Sequence, residues 1–475
     1  TISYMVCFLF FIGMNDIDKI LLKIDNIIWG PGMLVFLIGT GIYMTIIVRF
    51  KTWRMLFPSI KHSFGNNARK SQNISSFAAL TTTLGATIGT GNIVGVGTAV
   101  ALGGPGALVW MWISALFGMT TKFSECMLAV KYREVSENGD FTGGPMYTLK
   151  NGLGKKTGCD KIGKLLGGSF AISTIIASFG IGNMTQSSSI AYVLKGSFDI
   201  PVFITGLVIA TITMTIILGG IKNISRVSAY IVPLMALIYI ISGLMVIACN
   251  ISYLPGGIKM IFAGAFSVKS VTGGICGGVT VSVFDSMRYG VSRGCFSNEA
   301  GMGSGAITAA AADSEDYVLQ GYINMTAVFW DTIVLCTITG LMIVCSGVYE
   351  SSCLTNDGTG QVISGVGLAI LAYEKVFGKA GGLFVGISII LFAFTTIIGW
   401  EYQGEMALGY IIRNKNGIFL YRNAFVISVF IGAVMTVNAV WRFSDIANGL
   451  MIIPNLISII VLKDVVAEAV KEKQD

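Results

Sequence analysis

Leu84-Gly85-Ala86-Thr87-Ile88-Gly89-Thr90-Gly91-Asn92 is the stretch that decides how this chain folds. It lies in the middle of an apolar run, Phe77–Leu102, and a membrane-spanning helix needs about 20 such residues. Gly85, Gly89 and Gly91 nevertheless fall within seven positions, next to Thr90 and Asn92. Each interior glycine costs a helix about 1 kcal/mol relative to alanine, so this span is weakest at its midpoint. Unwound backbone at membrane depth persists only where protein buries it or where it lines a cavity. There it frees N–H and C=O groups to bind an ion or a carboxylate. A tight helix-packing face is the competing explanation, but such a face has no use for Thr90 and Asn92.

Composition supports the membrane reading without any motif. Hydrophobic residues make up 53% of 475 positions and charged residues 12%, roughly half the charged share of a soluble domain. Mean hydropathy is +0.75. The apolar stretches run continuously instead of alternating, which excludes barrel strands and leaves helices. The spans read as Ile28–Val48, Phe77–Leu102, Leu108–Val130, Ser169–Leu194, Val202–Leu218, Val227–Cys249, Val271–Tyr289, Val318–Val344, Leu383–Ile411, Phe425–Ala439 and Phe443–Leu462, about eleven in all. Residues 1–27 form a partly apolar N-terminal segment, 28–462 one transmembrane domain and 463–475 a charged tail.

Lys and Arg set the expected orientation. With the N-terminus outside and the C-terminus cytoplasmic, inner segments carry 23 basic residues and outer ones 8. The inner count includes seven in Lys131–Lys164, together with Arg288 and Arg293. The formal charge of +7 is then an inner-leaflet effect and not a nucleic-acid footprint. The single His62 lies in a basic loop, which excludes a His-based site inside the membrane. The scattered cysteines, several inside apolar runs, read as packing residues.

Three further stretches depart from lipid-facing helix. Thr272-Gly273-Gly274-Ile275-Cys276-Gly277-Gly278 leads into Phe284-Asp285-Ser286-Met287-Arg288. It reads as a second broken segment, or Asp285 and Arg288 form an i,i+3 pair near an interface. The two breaks lie about 190 residues apart and, with the first span set aside, are the first and sixth of ten. Interrupted helices at matching positions of two halves are the mark of an inverted-repeat transporter. In Thr395-Thr396-Ile397-Ile398-Gly399-Trp400, adjacent hydroxyls suit a hard cation and Trp400 can wall a pocket; the alternative is threonine back-bonding to its own helix. Asn183–Ser189 carries many polar groups, Gln186 among them, which serve either a ligand or neighbouring helices.

These residues resemble the alanine or glycine:cation symporter family. The resemblance rests on Gly89-Thr90-Gly91-Asn92-Ile93-Val94-Gly95-Val96, Gly103-Gly104-Pro105-Gly106-Ala107, Trp110-Met111-Trp112, Lys122-Phe123, Gly143-Gly144-Pro145-Met146-Tyr147, Phe296-Ser297-Asn298-Glu299-Ala300-Gly301-Met302-Gly303-Ser304, Asp331-Thr332-Ile333-Val334 and Asn448–Leu456, and covers roughly residues 27 to 462. It implies an all-α, leucine-transporter-like fold, with an inverted five-helix repeat plus an extra N-terminal helix. It implies symport of alanine or glycine with sodium, sometimes protons, across the plasma membrane, with no cofactor. Substrate contacts would fall on Thr90, Gly91, Asn92, Gln186, Phe284 and Trp400, and sodium contacts on Gly85, Ile88, Thr395 and Thr396. The family often has Gln-Ala-Asn-Ser where this chain has Gln186-Ser187-Ser188-Ser189, a change that bears on substrate preference.

A channel or a membrane enzyme would read differently. No filter repeat or ring-forming acidic motif is present for the first. No HExxH, GxSxG or other catalytic set is present for the second.

Overall fold

The computed structural model describes residues 20–65, 74–136, 139–266, 282–349, 365–412, 414–435 and 437–472. Helix α1 (Ile20–Ile47) is followed by a broken pair, α2 (Ser76–Thr87) and α3 (Thr90–Gly103), whose axes differ by 58°. Then come α4 (Ala107–Lys131), α5 (Asp160–Gly196), α6 (Val202–Ile217), α7 (Gly220–Cys249) and the short α8 (Leu254–Phe266). The second half runs through α9 (Val283–Asn298), α10 (Ser304–Ala310), α11 (Tyr317–Cys345), α12 (Gly365–Phe377), α13 (Lys379–Ile411), α14 (Lys415–Val434), α15 (Val437–Val461) and α16 (Lys463–Glu472). After α4, β1 (Glu134–Val135) pairs antiparallel with β2 (Phe141–Thr142), Glu134 opposite Thr142.

Among the described residues, seven helices are long and apolar enough to cross a membrane, or eight if α2 and α3 count as one span. The remaining long segments are diluted or interrupted. α4 carries buried Lys122 and Glu125, and α9 stops at Asn298 before α10 begins.

The break in the first span lies where its glycines place it. α2 ends at Thr87, Ile88 leaves the helical region with ψ of 89°, and Thr90–Asn92 form a single 3-10 turn. The second stretch that the sequence reading singles out, Thr272–Gly278, lies outside the described residues, as does the start of the expected span Val271–Tyr289, whose part from Val283 on is helical. Among the described residues the chain unwinds a second time at Glu299–Gly303, where Glu299, Gly301 and Gly303 have φ of 57°, 87° and 81°. A non-glycine residue in that region costs about 1–3 kcal/mol, so Glu299 must be held there by its neighbours. Two five-helix halves follow: α2/α3 through α7, and α9/α10 through α15 without α12.

Asp285 and Arg288 do not pair with each other. Asp285 caps α9 through Ser282, with Oδ2 2.6 Å from the Ser282 hydroxyl. Arg288 reaches Asp25 of α1 at 3.1 Å. Arg288 lies near Gly103, at the end of the molecule opposite the Lys131–Lys164 segment with which the charge count groups it, and Arg293 lies five residues further along α9 on that side of the site. The expected charged tail forms α16, which buries Val466, Ala469 and Val470.

Candidate substrate and cation site

The last turn of α2 turns its carbonyls toward α13. The Thr396 hydroxyl lies 3.2 Å from the Gly85 carbonyl, 3.4 Å from that of Ile88 and 3.1 Å from that of Phe392 on its own helix. The Thr395 hydroxyl back-bonds within α13, 3.0 Å from the same Phe392 oxygen. Both threonines are buried. A hydroxyl has one proton to give, yet three carbonyls crowd Thr396. The cluster therefore holds more acceptor oxygens than donors, which is the environment a hard cation satisfies. Gly85, Ile88, Thr395 and Thr396 are thus brought together.

Glycine is required next to this cluster. A Cβ on Gly89 would stand 2.5 Å from the Thr396 hydroxyl and 3.2 Å from Gln186 Oε1. The Thr90 amide donates to Gln186 Oε1 at 3.2 Å, while Gln186 Nε2 donates to the Ile181 carbonyl. Asn92 holds the break from within: its Oδ1 accepts from the Gly89 amide at 3.0 Å, and its Nδ2 donates to Asp331 Oδ1 at 2.7 Å. The Thr90 hydroxyl is buried without a hydrogen-bond partner. Of the remaining Asn183–Ser189 run, Asn183 donates to the Phe425 carbonyl and Thr185 meets Ser444. Most of that polarity therefore serves helix contacts. Ser188, at the position where the family often has Asn, bonds the Thr185 carbonyl.

Two aromatic rings flank the break. Trp400 is fully buried, packed so closely on Gly182 that a Cβ there would lie 2.1 Å from its own. The second ring is not Phe284. Phe284 is 37% exposed in the first turn of α9, about 22 Å along the helix from Glu299 at 1.5 Å per residue. Phe296, three residues before the break, takes that place. A Cβ on Gly91 would meet Phe296 Cδ1 at 3.3 Å and Ser297 Cα at 3.1 Å.

The charged groups beside the site belong to the second break, and the sequence reading assigns them no role. Trp400 Nε1 donates to Glu299 Oε1 at 2.7 Å, and Ser304 donates to Oε2 at 2.5 Å. Lys122 of α4 lies 3.3 Å from the Glu299 carbonyl and 3.3 Å from Glu125 Oε1. Glu125 Oε2 accepts from the Gly301 amide at 3.1 Å and from Asn455 at 2.8 Å. Cys336, on α11, sits 3.3 Å from the Ser297 hydroxyl and 3.4 Å from Asn92. The rule that ionisable residues inside a membrane are functional by default points to Lys122, Glu125, Glu299 and Asp331 from sequence alone.

The two ends of the molecule differ. On the α9 side of the site, six residues before Glu299, Arg293 makes a bidentate pair with Asp445 at 2.9 and 2.6 Å, its guanidinium beside the Trp441 and Phe296 rings. Trp29 of α1 donates to the Asp445 carbonyl at 3.0 Å. At the opposite end a cavity of about 570 Å³ opens between the start of α7, the β1–β2 pair, and the facing parts of α13 and α14.

The sodium:alanine symporter family model matches residues 14–475. A sodium/alanine symporter, AgcS, from Methanococcus maripaludis is 43% identical over 96% of this chain and 97% of its own. A probable sodium/glutamine symporter, GlnT, from Bacillus subtilis is 36% identical, covering 94% of this chain and 89% of its own. The structure of MhsT in complex with L-phenylalanine superposes with a TM-score of 0.58 at 13% identity, over 83% of this chain and 90% of that one. A sodium-coupled sialic acid symporter gives 0.51 at 12% identity, over 86% and 82%. These two show the shared leucine-transporter-like fold, which the paired breaks at Ile88–Gly89 and Glu299–Gly303 already describe. The chain belongs to the sodium:alanine symporter family and is a secondary transporter, not an enzyme.

Proposed function

We propose that this protein couples the inward movement of sodium to that of a small neutral amino acid, alanine or glycine, by alternating access. The observation that carries this reading is Gly89, which links the two clusters. On one side of it lies the oxygen cluster of Gly85, Ile88, Phe392, Thr395 and Thr396; on the other lie Thr90, Gly91 and Gln186. Gln186 Oε1 occupies the acceptor position opposite the Thr90 amide that a substrate carboxylate would take. Phe296 and Trp400 would then bound a small side chain, and an added methylene would cost about 1–3 kcal/mol.

The cavity of about 570 Å³, here called the vestibule, is assigned to the cytoplasmic side of the plasma membrane and Arg293–Asp445 to the outside. The β1–β2 pair that lines the vestibule follows Lys131, in the segment richest in basic residues. Moving Arg288 and Arg293 to the outer side leaves the basic residues about two to one in favour of the inside.

Uptake of labelled alanine into proteoliposomes tests the proposal. Saturable accumulation that needs an inward sodium gradient is the expected result, with glycine competing and leucine failing to compete. Flux without accumulation would indicate a channel, and accumulation driven equally by a proton gradient without sodium would reassign the coupling ion.

A further inference from the structure

One carboxylate near the cation cluster has no part in it. Glu401 follows Trp400 on α13, and its side chain is 2% exposed yet lines the vestibule. Its Oε1 has no hydrogen-bond partner. Glu405, one turn on, is clamped by Arg422 of α14 with both oxygens, at 2.6 and 2.9 Å. The same guanidinium stands 3.8 Å from Glu401 Oε1, beyond hydrogen-bond reach. Two carboxylates thus share one guanidinium, leaving one negative charge and one orphan oxygen at the wall of an open cavity.

We propose that Glu401 is a proton-binding site: its Oε1 takes a proton from vestibule water, neutralising the dyad while Arg422 stays with Glu405, and returns it to the same water. This inference rests on the transport reading for its consequence, that the charge on Glu401 sets how fast the vestibule-open form turns over. A proton fits better than a metal ion. Arg422 repels a second cation at 3.8 Å, whereas a proton needs only the one unpartnered oxygen. Burying an ionised carboxylate without a full partner is costly, so either the proton or hydration must relieve it.

The other ionisable groups around Glu401 come from several elements. On its own helix these are Glu405 and Tyr402, and from α14 they are Arg422, Lys415 and Tyr421, the last hydrogen-bonded to Ser178. The β1–β2 hairpin brings Glu134 and Asp140, the start of α7 brings Lys222, and the turn after the hairpin brings Tyr147. Glu134 is engaged by Lys150 at 2.7 Å.

Infrared difference spectra of the purified protein, recorded on acidification, test the site directly. The wild type should gain a protonated-carboxyl C=O band that is absent from Glu401→Gln and shifted but present in Glu401→Asp. In proteoliposomes, alanine exchange by the wild type should change with pH by up to about tenfold per unit, the limit for one linked proton. Glu401→Gln should change by less than about twofold, and Glu401→Asp should restore the dependence. An unchanged band in Glu401→Gln, or a wild-type pH profile in that variant, overturns the proposal. A variant profile that shifts only with sodium concentration also overturns it and makes the site a metal site. If Glu401→Gln does not fold, the position of the Glu401→Asp band decides: no shift from wild type rejects Glu401. If the wild type moves no alanine, the symport reading fails, but the infrared band still answers for Glu401.

Discussion

The two helix breaks occupy matching places in the two halves, yet they are held by different chemistry. At Ile88–Gly89 the unwound backbone meets uncharged partners: Thr396, Gln186 and the Asn92 amide. At Glu299–Gly303 it meets buried charge: Lys122 on the Glu299 carbonyl and Glu125 on the Gly301 amide, with Asn455 bridging. Neutral groups that share too few protons can exchange one partner for a ligand at small cost. A buried ion pair cannot, because removing either partner strands a charge. On the proposed reading the first break is the one that binds, while the second acts as a fixed joint whose Glu299 holds Trp400.

The largest effect should come from the joint. Lys122→Met leaves Glu125 unpaired in the core and should destabilise the protein by about 3–5 kcal/mol, read as a large fall in thermal unfolding temperature in detergent. The double variant Lys122→Met/Glu125→Gln should recover part of that loss. If the single change costs no more than a substitution at the first break, the contrast between the two fails.

Next is Gly91→Ala. Its Cβ meets Ser297 Cα at 3.1 Å, and alanine favours helix by about 1 kcal/mol over glycine. Alanine affinity per folded molecule should fall by about tenfold or more, while stability changes by only about 1 kcal/mol. Near-normal affinity in the folded fraction would make Gly91 a packing residue.

Thr396→Ala should raise the sodium concentration for half-maximal uptake by roughly 5- to 100-fold, and by linkage should weaken substrate binding at low sodium. Thr395→Ala should do less, because its hydroxyl already bonds its own helix. Equal loss of transport at all sodium concentrations would assign the pair to folding. The smallest effect should be at Phe284→Ala, with affinity within about twofold of wild type, against a broadened side-chain range for Phe296→Ala. Competition assays with serine, alanine and leucine compare the two.

Local chemistry made the first break legible. Gly85, Gly89 and Gly91 weaken one helix over a few residues, and Thr90 and Asn92 mark what the freed backbone meets. The second break left a fainter trace in Gly301 and Gly303. Its decisive residue, Glu299, adopts a left-handed conformation that nothing in its own neighbourhood prefers. Lys122, Trp400 and Ser304 hold it there, and Lys122 lies 177 positions away. Phe284, carried over by the resemblance, stands at the start of α9, 15 residues before Glu299 at the second break. The Thr395–Thr396 pair was legible as oxygen ligands. That Thr396 alone reaches across to α2 was not, since only the rotation of α13 against α2 distinguishes the two hydroxyls.

The Arg293–Asp445 pair also bears on the timing of the transport cycle. Its two hydrogen bonds share one planar guanidinium that lies beside the stacked Trp441 and Phe296 rings, so separating the pair also gives up the ring contacts. Opening that end is then a single step with a barrier, and water must reach both charges at once. The rate of opening should therefore depend steeply on temperature, because both charges must be hydrated in the same step.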